Sequence, residues 1–316
     1  MKRRSFIKNG LLAAGALSLP LTKGKMFAAG ATGSAGSTGA TGATGGAQAP
    51  GGFKKSIMWG TVAVEGSVLD KCKAVKEAGY EGVEVNGQMN RQEVTDAARA
   101  AGLVVSGVVS ATHWRKPLSH PDAAVRQEGI DGALAALEDA RAYGTDALLL
   151  VPGLVNETVS YDECWARSVE GIRKLLPAAE KLKVSICVEN VWNNFLLSPM
   201  EACRYVDQFN SPWVKFYFDT GNIMIYGWPE QWIRILGDRI GRVHIKEFSK
   251  DIADKRGRRA GFDAPLTEGS VDWPKVLGAL RASYKNTWLT TEQKSGKTTA
   301  ELKDLGARFD KLLAMG

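Results

Sequence analysis

The sequence predicts one α/β domain folded as a closed (β/α)8 barrel. Short apolar, β-branched runs alternate with amphipathic, helix-like patterns about eight times between residue 53 and the last residue. This part contains 264 residues, a usual size for one such barrel. Several of its apolar runs end in carboxylate, imidazole or amide side chains, and barrels of this kind bind their ligands at the carboxyl ends of the strands.

The first 29 residues have the pattern of an export signal. Lys2, Arg3 and Arg4 precede an apolar stretch of small residues at 10–21, which is short for a membrane span. The paired arginines resemble a twin-arginine signal, which predicts export to the periplasm and membrane contact through this segment alone. The alternative is a basic N-terminus that holds an incidental apolar segment.

Residues 30–52 consist almost entirely of Gly, Ala, Thr and Ser. Because this segment has no large apolar side chain, it cannot repay the entropy lost on ordering, and we expect a disordered linker.

Residues 1–29 carry six basic and no acidic side chains, which leaves +1 of the net charge of +7 for the rest of the chain. That balance does not predict a nucleic-acid partner.

Each of the first four units of the domain, 53–316, pairs an apolar run with an amphipathic pattern. Gly102 is a helix stop signal, and Pro177 permits an interruption in a long helical pattern. The predicted strands are 56–62, 82–85, 104–110 and 147–151, and the predicted helices are 67–78, 91–101, 123–143 and 161–182.

The last four units begin with the run V-S-I-C-V at 184–188. Such an unbroken apolar run is typical of a strand buried on both faces, as in a parallel barrel. Ser198 and Pro199 provide a cap and a first turn for the helix that follows. The other predicted strands lie in 214–222, 242–248 and 287–293, and the predicted helices are 198–209, 230–236, 272–283 and 300–313.

The four runs of this second half each deliver one metal-type ligand near their carboxyl end. The four residues are Glu189, Asp219, His244 and Glu292. Since successive strands are neighbours around a barrel, we expect these side chains to converge. An oxygen-rich set with one imidazole suits Mn²⁺, Co²⁺, Fe²⁺ or Mg²⁺, and also accepts Zn²⁺. The alternative is that the acids cap helices and the histidine is a hydrogen-bonded core residue.

Five further residues are candidates for substrate binding. His113 and Trp114 follow the third predicted strand and so belong at the same mouth, although the histidine could instead fix a loop. Asn193 and Asn222 follow the fifth and sixth strands. Lys246 shares a strand face with the predicted histidine ligand, where an ammonium could stabilise an oxyanion or pair with an acid.

The strand-end segments V-E-N, F-D-T-G-N, V-H-I-K-E and T-E-Q resemble the xylose isomerase-like TIM barrel family. This family includes isomerases and epimerases of sugars and sugar phosphates. It also includes endonuclease IV, an enzyme that cleaves DNA at abasic sites. The resemblance extends over the whole domain from about Lys55. It implies that Glu189 and Glu292 are metal ligands as well as the acid/base pair, and that Asp219 and His244 are ligands only.

The resemblance therefore implies a divalent-metal-dependent sugar isomerase or epimerase that acts through a metal-bound cis-enediolate, with Mn²⁺ the foremost metal. The expected substrate is a small sugar or sugar acid, and a homo-oligomer is compatible with the sequence. Ketose 3-epimerases usually carry histidine at the position of Asn222, and the three histidines of this chain are too few for endonuclease IV. The alternatives are a dehydratase or keto-sugar lyase with the same site, and a non-catalytic sugar-binding barrel.

Overall fold

The computed structural model describes residues 52–316, in which eight parallel strands close into a barrel in the order β1 to β8. The predicted signal and nearly all of the predicted linker lie outside the described residues. The strands are β1 (Lys54–Met58), β2 (Gly82–Asn86), β3 (Val104–Val109), β4 (Ala147–Leu150), β5 (Ser185–Glu189), β6 (Val214–Asp219), β7 (Ile240–Ile245) and β8 (Trp288–Thr291). The predicted (β/α)8 TIM barrel is confirmed.

The strands alternate with helices that cover the outside of the barrel. Side-chain caps begin several of these helices, as at Ser67 and Thr298, and Gly102 ends α2 with a left-handed φ of 67°. The helices are α1 (Val68–Glu77), α2 (Arg91–Ala101), α3 (Ala123–Tyr143), α4 (Tyr161–Leu182), α5 (Pro199–Asp207), α6 (Thr220–Ile223), α7 (Pro229–Leu236), α8 (Lys250–Arg256), α9 (Trp273–Ser283) and α10 (Thr299–Leu313). None of them is long and apolar enough to cross a membrane.

Strand alternation decides which side chains reach the site. On β6, Phe216 and Phe218 pack outward with the helices, whereas Tyr217 belongs to the separate apolar cluster inside the barrel. Asp219, two residues further, therefore points inward at the rim. The same alternation on β5 places Cys187 in the interior and Glu189 above it. Glu189 and Asp219 thus each lie one layer above an interior residue of their own strand.

Three local features differ from the sequence predictions. The first predicted strand, 56–62, is wrong after Met58, because Trp59–Thr61 forms a 3₁₀ turn in which the Thr61 hydroxyl donates to the Met58 carbonyl at 2.8 Å. Helix α4 runs through Pro177 without interruption. The segment after β7 contains α8 and a 3₁₀ turn, Arg258–Asp263, that sequence patterning did not predict, because it is mostly charged and has no apolar period.

Candidate metal centre

Four strand ends bring ligand-type side chains to one point at the carboxyl end of the barrel. They are Glu189 at the end of β5, Asp219 at the end of β6, His244 in β7 and Glu292 just after β8. One ligand atom from each residue lies within 4.8 Å of those of the other three. The side chains are buried except for that of Glu292, which is 21% exposed. We call these four residues the ligand cluster.

The imidazole of His244 presents Nδ1 to the other members of the ligand cluster. Nδ1 lies 2.9 Å from Glu189 Oε1 and 3.1 Å from Glu292 Oε2. Asp219 Oδ2 is 4.0 Å from the same nitrogen. A neutral imidazole offers one lone pair, so this orientation makes Nδ1 the nitrogen that can ligate an ion.

The other ring nitrogen is held by a residue to which sequence reasoning assigned no role. His244 Nε2 lies 2.8 Å from Glu84 Oε2, and the Tyr217 hydroxyl donates to the other oxygen of Glu84. All three side chains are at most 1% exposed. A carboxylate behind a ligating histidine fixes its orientation and its tautomer. The available signal was a glutamate within the otherwise apolar strand β2, since buried strands rarely hold an unpaired acid.

The pKa values of the three carboxyl groups in the ligand cluster are not all shifted in the same direction. Burial raises the pKa of Glu189 and raises that of Asp219 far above its ordinary range. Burial also opposes ionisation of Glu292, but Lys246 and His244 outweigh it and hold the pKa of that carboxyl below its ordinary range. Three carboxyl groups this close are costly to ionise together unless a cation lies among them.

The ligand cluster fits a divalent metal ion. Two of its buried oxygen atoms, Asp219 Oδ2 and Glu292 Oε2, have no hydrogen-bond partner among the described residues. The Lys246 ammonium lies 3.0 Å from the second of these atoms, but without hydrogen-bond geometry. Buried oxygen atoms without a hydrogen-bond partner indicate that a water molecule or an ion binds there. Three carboxylates with one imidazole suit Mn²⁺, Fe²⁺, Co²⁺, Mg²⁺ or Zn²⁺.

A cavity of about 430 Å³ opens above the ligand cluster. Glu189 and Glu292 contribute to its floor, and Met58, Val109 and Leu149 contribute apolar wall. A cavity of this size, in which apolar side chains alternate with several charged and polar ones, is typical of a site for a small polar molecule. Four of the five residues predicted to bind substrate line it, namely His113, Trp114, Asn222 and Lys246.

The family model for xylose isomerase-like TIM barrels matches residues 72–311 of this chain, which is most of its length. The chain belongs to this family. Among its similar proteins is L-ribulose-5-phosphate 3-epimerase of Salmonella paratyphi A, which is 22% identical over 256 residues, covering 75% of this chain and 87% of the relative.

Solved structures share the same barrel. D-psicose 3-epimerase from Clostridium cellulolyticum, solved with D-tagatose, has a TM-score of 0.66 and 17% identity, over 83% of this chain and 97% of that one. The 3-keto-D-glucoside 4-epimerase of E. coli has a TM-score of 0.68 and 17% identity, over 82% and 99%. At such identities the likeness establishes the fold alone.

In this member of the family, His113 both fixes a loop and faces the cavity. Its Nδ1 accepts a hydrogen bond from the Val151 backbone N–H at 3.2 Å. Burial lowers the pKa of His113 to about 4, so the ring is neutral at pH 7 and carries its proton on Nε2. Trp114 packs against it edge-on at 5.7 Å between ring centroids and is 52% exposed at the mouth.

The two predicted asparagines lie in different surroundings. Asn222 lines the cavity, and its side-chain NH₂ donates to the Asn190 carbonyl at 3.0 Å. Its backbone N–H donates to Asp219 Oδ1 at 2.6 Å, so Asp219 caps α6 with one oxygen and keeps the other in the ligand cluster. Asn193 is buried outside the cavity wall, where its side-chain NH₂ donates to the Gly153 carbonyl at 2.7 Å.

Lys246 pairs with acids of the ligand cluster. Its Nζ lies 3.0 Å from Glu292 Oε2 and 3.7 Å from Asp219 Oδ2, over the ring of Phe262 at 4.8 Å. Burial opposes the charged form, but the nearby carboxylates outweigh it and raise the pKa of Lys246 above its ordinary range. The ammonium is therefore charged and directed at the floor of the cavity.

The segment after β7 supplies cavity residues that sequence reasoning missed. Phe262 and Arg259, both in the 3₁₀ turn, line the cavity. Phe262 packs against Trp192 with ring centroids 4.8 Å apart, and Trp192 donates from Nε1 to the Asn222 carbonyl at 3.0 Å. No local pattern pointed to this segment, because its position over the mouth depends on contacts with the loops that follow β5 and β8.

Proposed function

We propose that this protein is a divalent-metal-dependent sugar epimerase or isomerase. The observation that carries the proposal is the convergence of two glutamates, an aspartate and a histidine on one point in the floor of a sugar-sized cavity. Similarity to proteins named as ribulose-5-phosphate and psicose 3-epimerases supports the same reaction class. The expected substrate is a small keto sugar or sugar acid.

Glu189, Asp219, His244 and Glu292 would hold the ion through carboxylate oxygens and the imidazole Nδ1. When bound, the ion supplies Lewis-acid stabilisation of negative charge on the substrate oxygens. We propose Mn²⁺ first, because the donor set is rich in oxygen, with Co²⁺, Fe²⁺, Mg²⁺ and Zn²⁺ as the other ions that suit it.

The chain's own residues would then move the proton. One of the carboxylates Glu189 and Glu292 removes a proton from the carbon beside the carbonyl, and the other returns one, to the opposite face or to the neighbouring carbon. The Lys246 ammonium and the Nε2–H of His113 are the donors placed to stabilise the oxygen of the cis-enediolate between these two steps.

The experiment begins with metal content by elemental analysis of the purified wild type and of Asp219→Asn. The wild type should hold near-stoichiometric metal and the variant should have lost most of it. Keto sugars incubated with the loaded wild type in D₂O should then gain deuterium beside the carbonyl, as followed by NMR. Release of water or of an aglycone would instead assign elimination. A wild type that takes up no metal after reloading would contradict the proposal.

We also propose that the chain is exported through its twin-arginine pattern. Replacement of both Arg3 and Arg4 by lysine keeps the charge of the segment but removes the paired arginines. Fractionation of cells should find the wild type in the periplasm and the double variant in the cytoplasm. Equal periplasmic amounts of the two proteins would refute the twin-arginine route.

A further inference from the structure

One cation of the cavity wall, Arg259, has no partner in the part of the chain that the structure describes. Arg259 lines the cavity together with Glu189 and Glu292, yet within residues 52–316 its guanidinium forms no ion pair and no hydrogen bond. The arginine next to it is engaged, since Arg258 lies over the ring of Trp192 at 5.9 Å. A guanidinium carries five donors and no acceptor, so those of Arg259 remain for solvent or for a ligand.

The other charges of the cavity are already committed to one another. The Lys246 ammonium lies between Glu292 and Asp219, at 3.0 and 3.7 Å. A divalent ion bound in the ligand cluster would neutralise the remaining negative charge of its carboxylates. Among residues 52–316, no carboxylate lies within ion-pair distance of Arg259.

The segment that carries Arg259 is fixed to the barrel. The side-chain NH₂ of Gln293, just beyond β8, donates to the carbonyls of Phe262 and Ala264 at 3.2 and 2.9 Å. The neighbouring Asp263 pairs with Lys294 at 2.7 Å. An arginine on an ordered segment loses less conformational entropy when it binds a ligand than one on a loose loop.

We propose that Arg259 binds an anionic group, a carboxylate or a phosphate ester, at the end of the sugar remote from the reacting carbonyl. This inference rests on the proposed function of the same cavity. The ligand cluster lies at the buried floor, whereas Arg259 is exposed at the mouth, so a substrate with its reacting oxygens on the floor directs its far end towards this guanidinium. Guanidinium binds both groups through paired, charge-assisted hydrogen bonds.

The test compares three 2-ketoses that differ only at carbon 6, which is hydroxymethyl in D-fructose, carboxylate in D-fructuronate and a phosphate ester in D-fructose 6-phosphate. Dissociation constants are measured by titration calorimetry with the full chain loaded with Mn²⁺. The variants are Arg259→Gln, which removes the charge, Arg259→Lys, which keeps it, and Arg258→Gln as the matched control on the same turn. Metal content is measured on every preparation.

In the wild type, at least one anionic ketose should bind about ten- to a hundredfold more tightly than D-fructose, which is the effect of one charge-assisted contact. Arg259→Gln should abolish that preference, Arg259→Lys should keep part of it, and Arg258→Gln should keep it whole. The stronger of the two anionic ligands identifies the group.

Equal binding of all three ketoses, a preference that survives Arg259→Gln, or no binding of any ketose by metal-loaded protein would each overturn the inference. The first two outcomes leave the proposed function intact, whereas absence of bound metal in the same preparations, or of binding by any ketose, would contradict the proposed function as well.

Discussion

Both nitrogens of His244 are engaged, and this arrangement decides how the ligand cluster is oriented. Nε2 lies 2.8 Å from Glu84, whose other oxygen accepts from Tyr217, so the ring cannot rotate without breaking a buried contact. Nδ1 is thereby held towards Glu189 at 2.9 Å. A buried carboxylate of this kind acts on an ion only through the histidine that it positions.

Glu84→Gln should weaken Mn²⁺ binding by about ten- to a hundredfold, because the amide supports the ligating tautomer less well than the carboxylate. Calorimetric titration of metal into the stripped protein measures this change. Glu77→Gln is the matched control, since Glu77 is an exposed acid paired with Lys303 at 3.1 Å. Unchanged metal affinity in a folded Glu84→Gln protein would show that the contact has no part in metal binding.

His113 should make the fold sensitive to acid. Its pKa is lowered to about 4 in the folded state, from 6.5. Above pH 6.5 the ring is neutral in both states; as the pH falls towards 4 the unfolded chain takes up the proton first, and up to about 3 kcal/mol of stability is lost.

In His113→Asn, the free energy of unfolding in urea should therefore fall less between pH 6.5 and pH 4 than in the wild type. The comparison of slopes removes the contributions of carboxylates that both proteins share. If the free energy of unfolding changed with pH in the same way for both proteins, burial would not lower the pKa of His113.

At the scale of the elements, two helical glycines have opposite surroundings. A Cβ on Gly306, in α10, would collide with the backbone carbonyl of Ala78 at the end of α1. A Cβ on Gly278, in α9, would meet nothing within 4 Å. Glycine at 306 is thus required for the close approach of the first and last helices, which lie beside the β1–β8 pair that closes the barrel.

Gly306→Ala should destabilise the protein by about 1–3 kcal/mol, because rigid backbone must shift to admit the methyl group. Gly278→Ala should stabilise it by about 0.5–1 kcal/mol through helix propensity alone. Urea midpoints of the two variants provide the measurement, and each serves as the control for the other. The same sign for both would contradict this account of the packing.

At the scale of the whole molecule, the ligand cluster depends on closure of the barrel. The ligand cluster comes from β5 to β8, whereas Glu84 reaches His244 from β2, a strand that does not border β7. Because these four residues are far apart in the sequence, the unfolded chain does not hold them together, and we expect binding of an ion to be linked to folding.

Manganese should therefore stabilise the wild type against unfolding, by about 2.7 kcal/mol at a free concentration one hundred times the Kd. A chelator should reverse the gain. In Asp219→Asn the shift in Tm should be lost, since one ligand of the cluster is missing. An equal Tm shift in both proteins would place the bound ion elsewhere.

The sequence by itself determined the alternation of strands and helices, the class of barrel and the four ligand-type residues at strand ends. These features follow from local rules, because a buried parallel strand is apolar throughout and its carboxyl end faces the site. Only the tertiary structure decided that His244 presents Nδ1 rather than Nε2, that Glu84 lies behind it, and that Asn193 stays out of the cavity. It also brought Arg259 over the mouth. Such contacts join residues far apart in the chain, so they depend on strand register and barrel closure, which no local pattern contains.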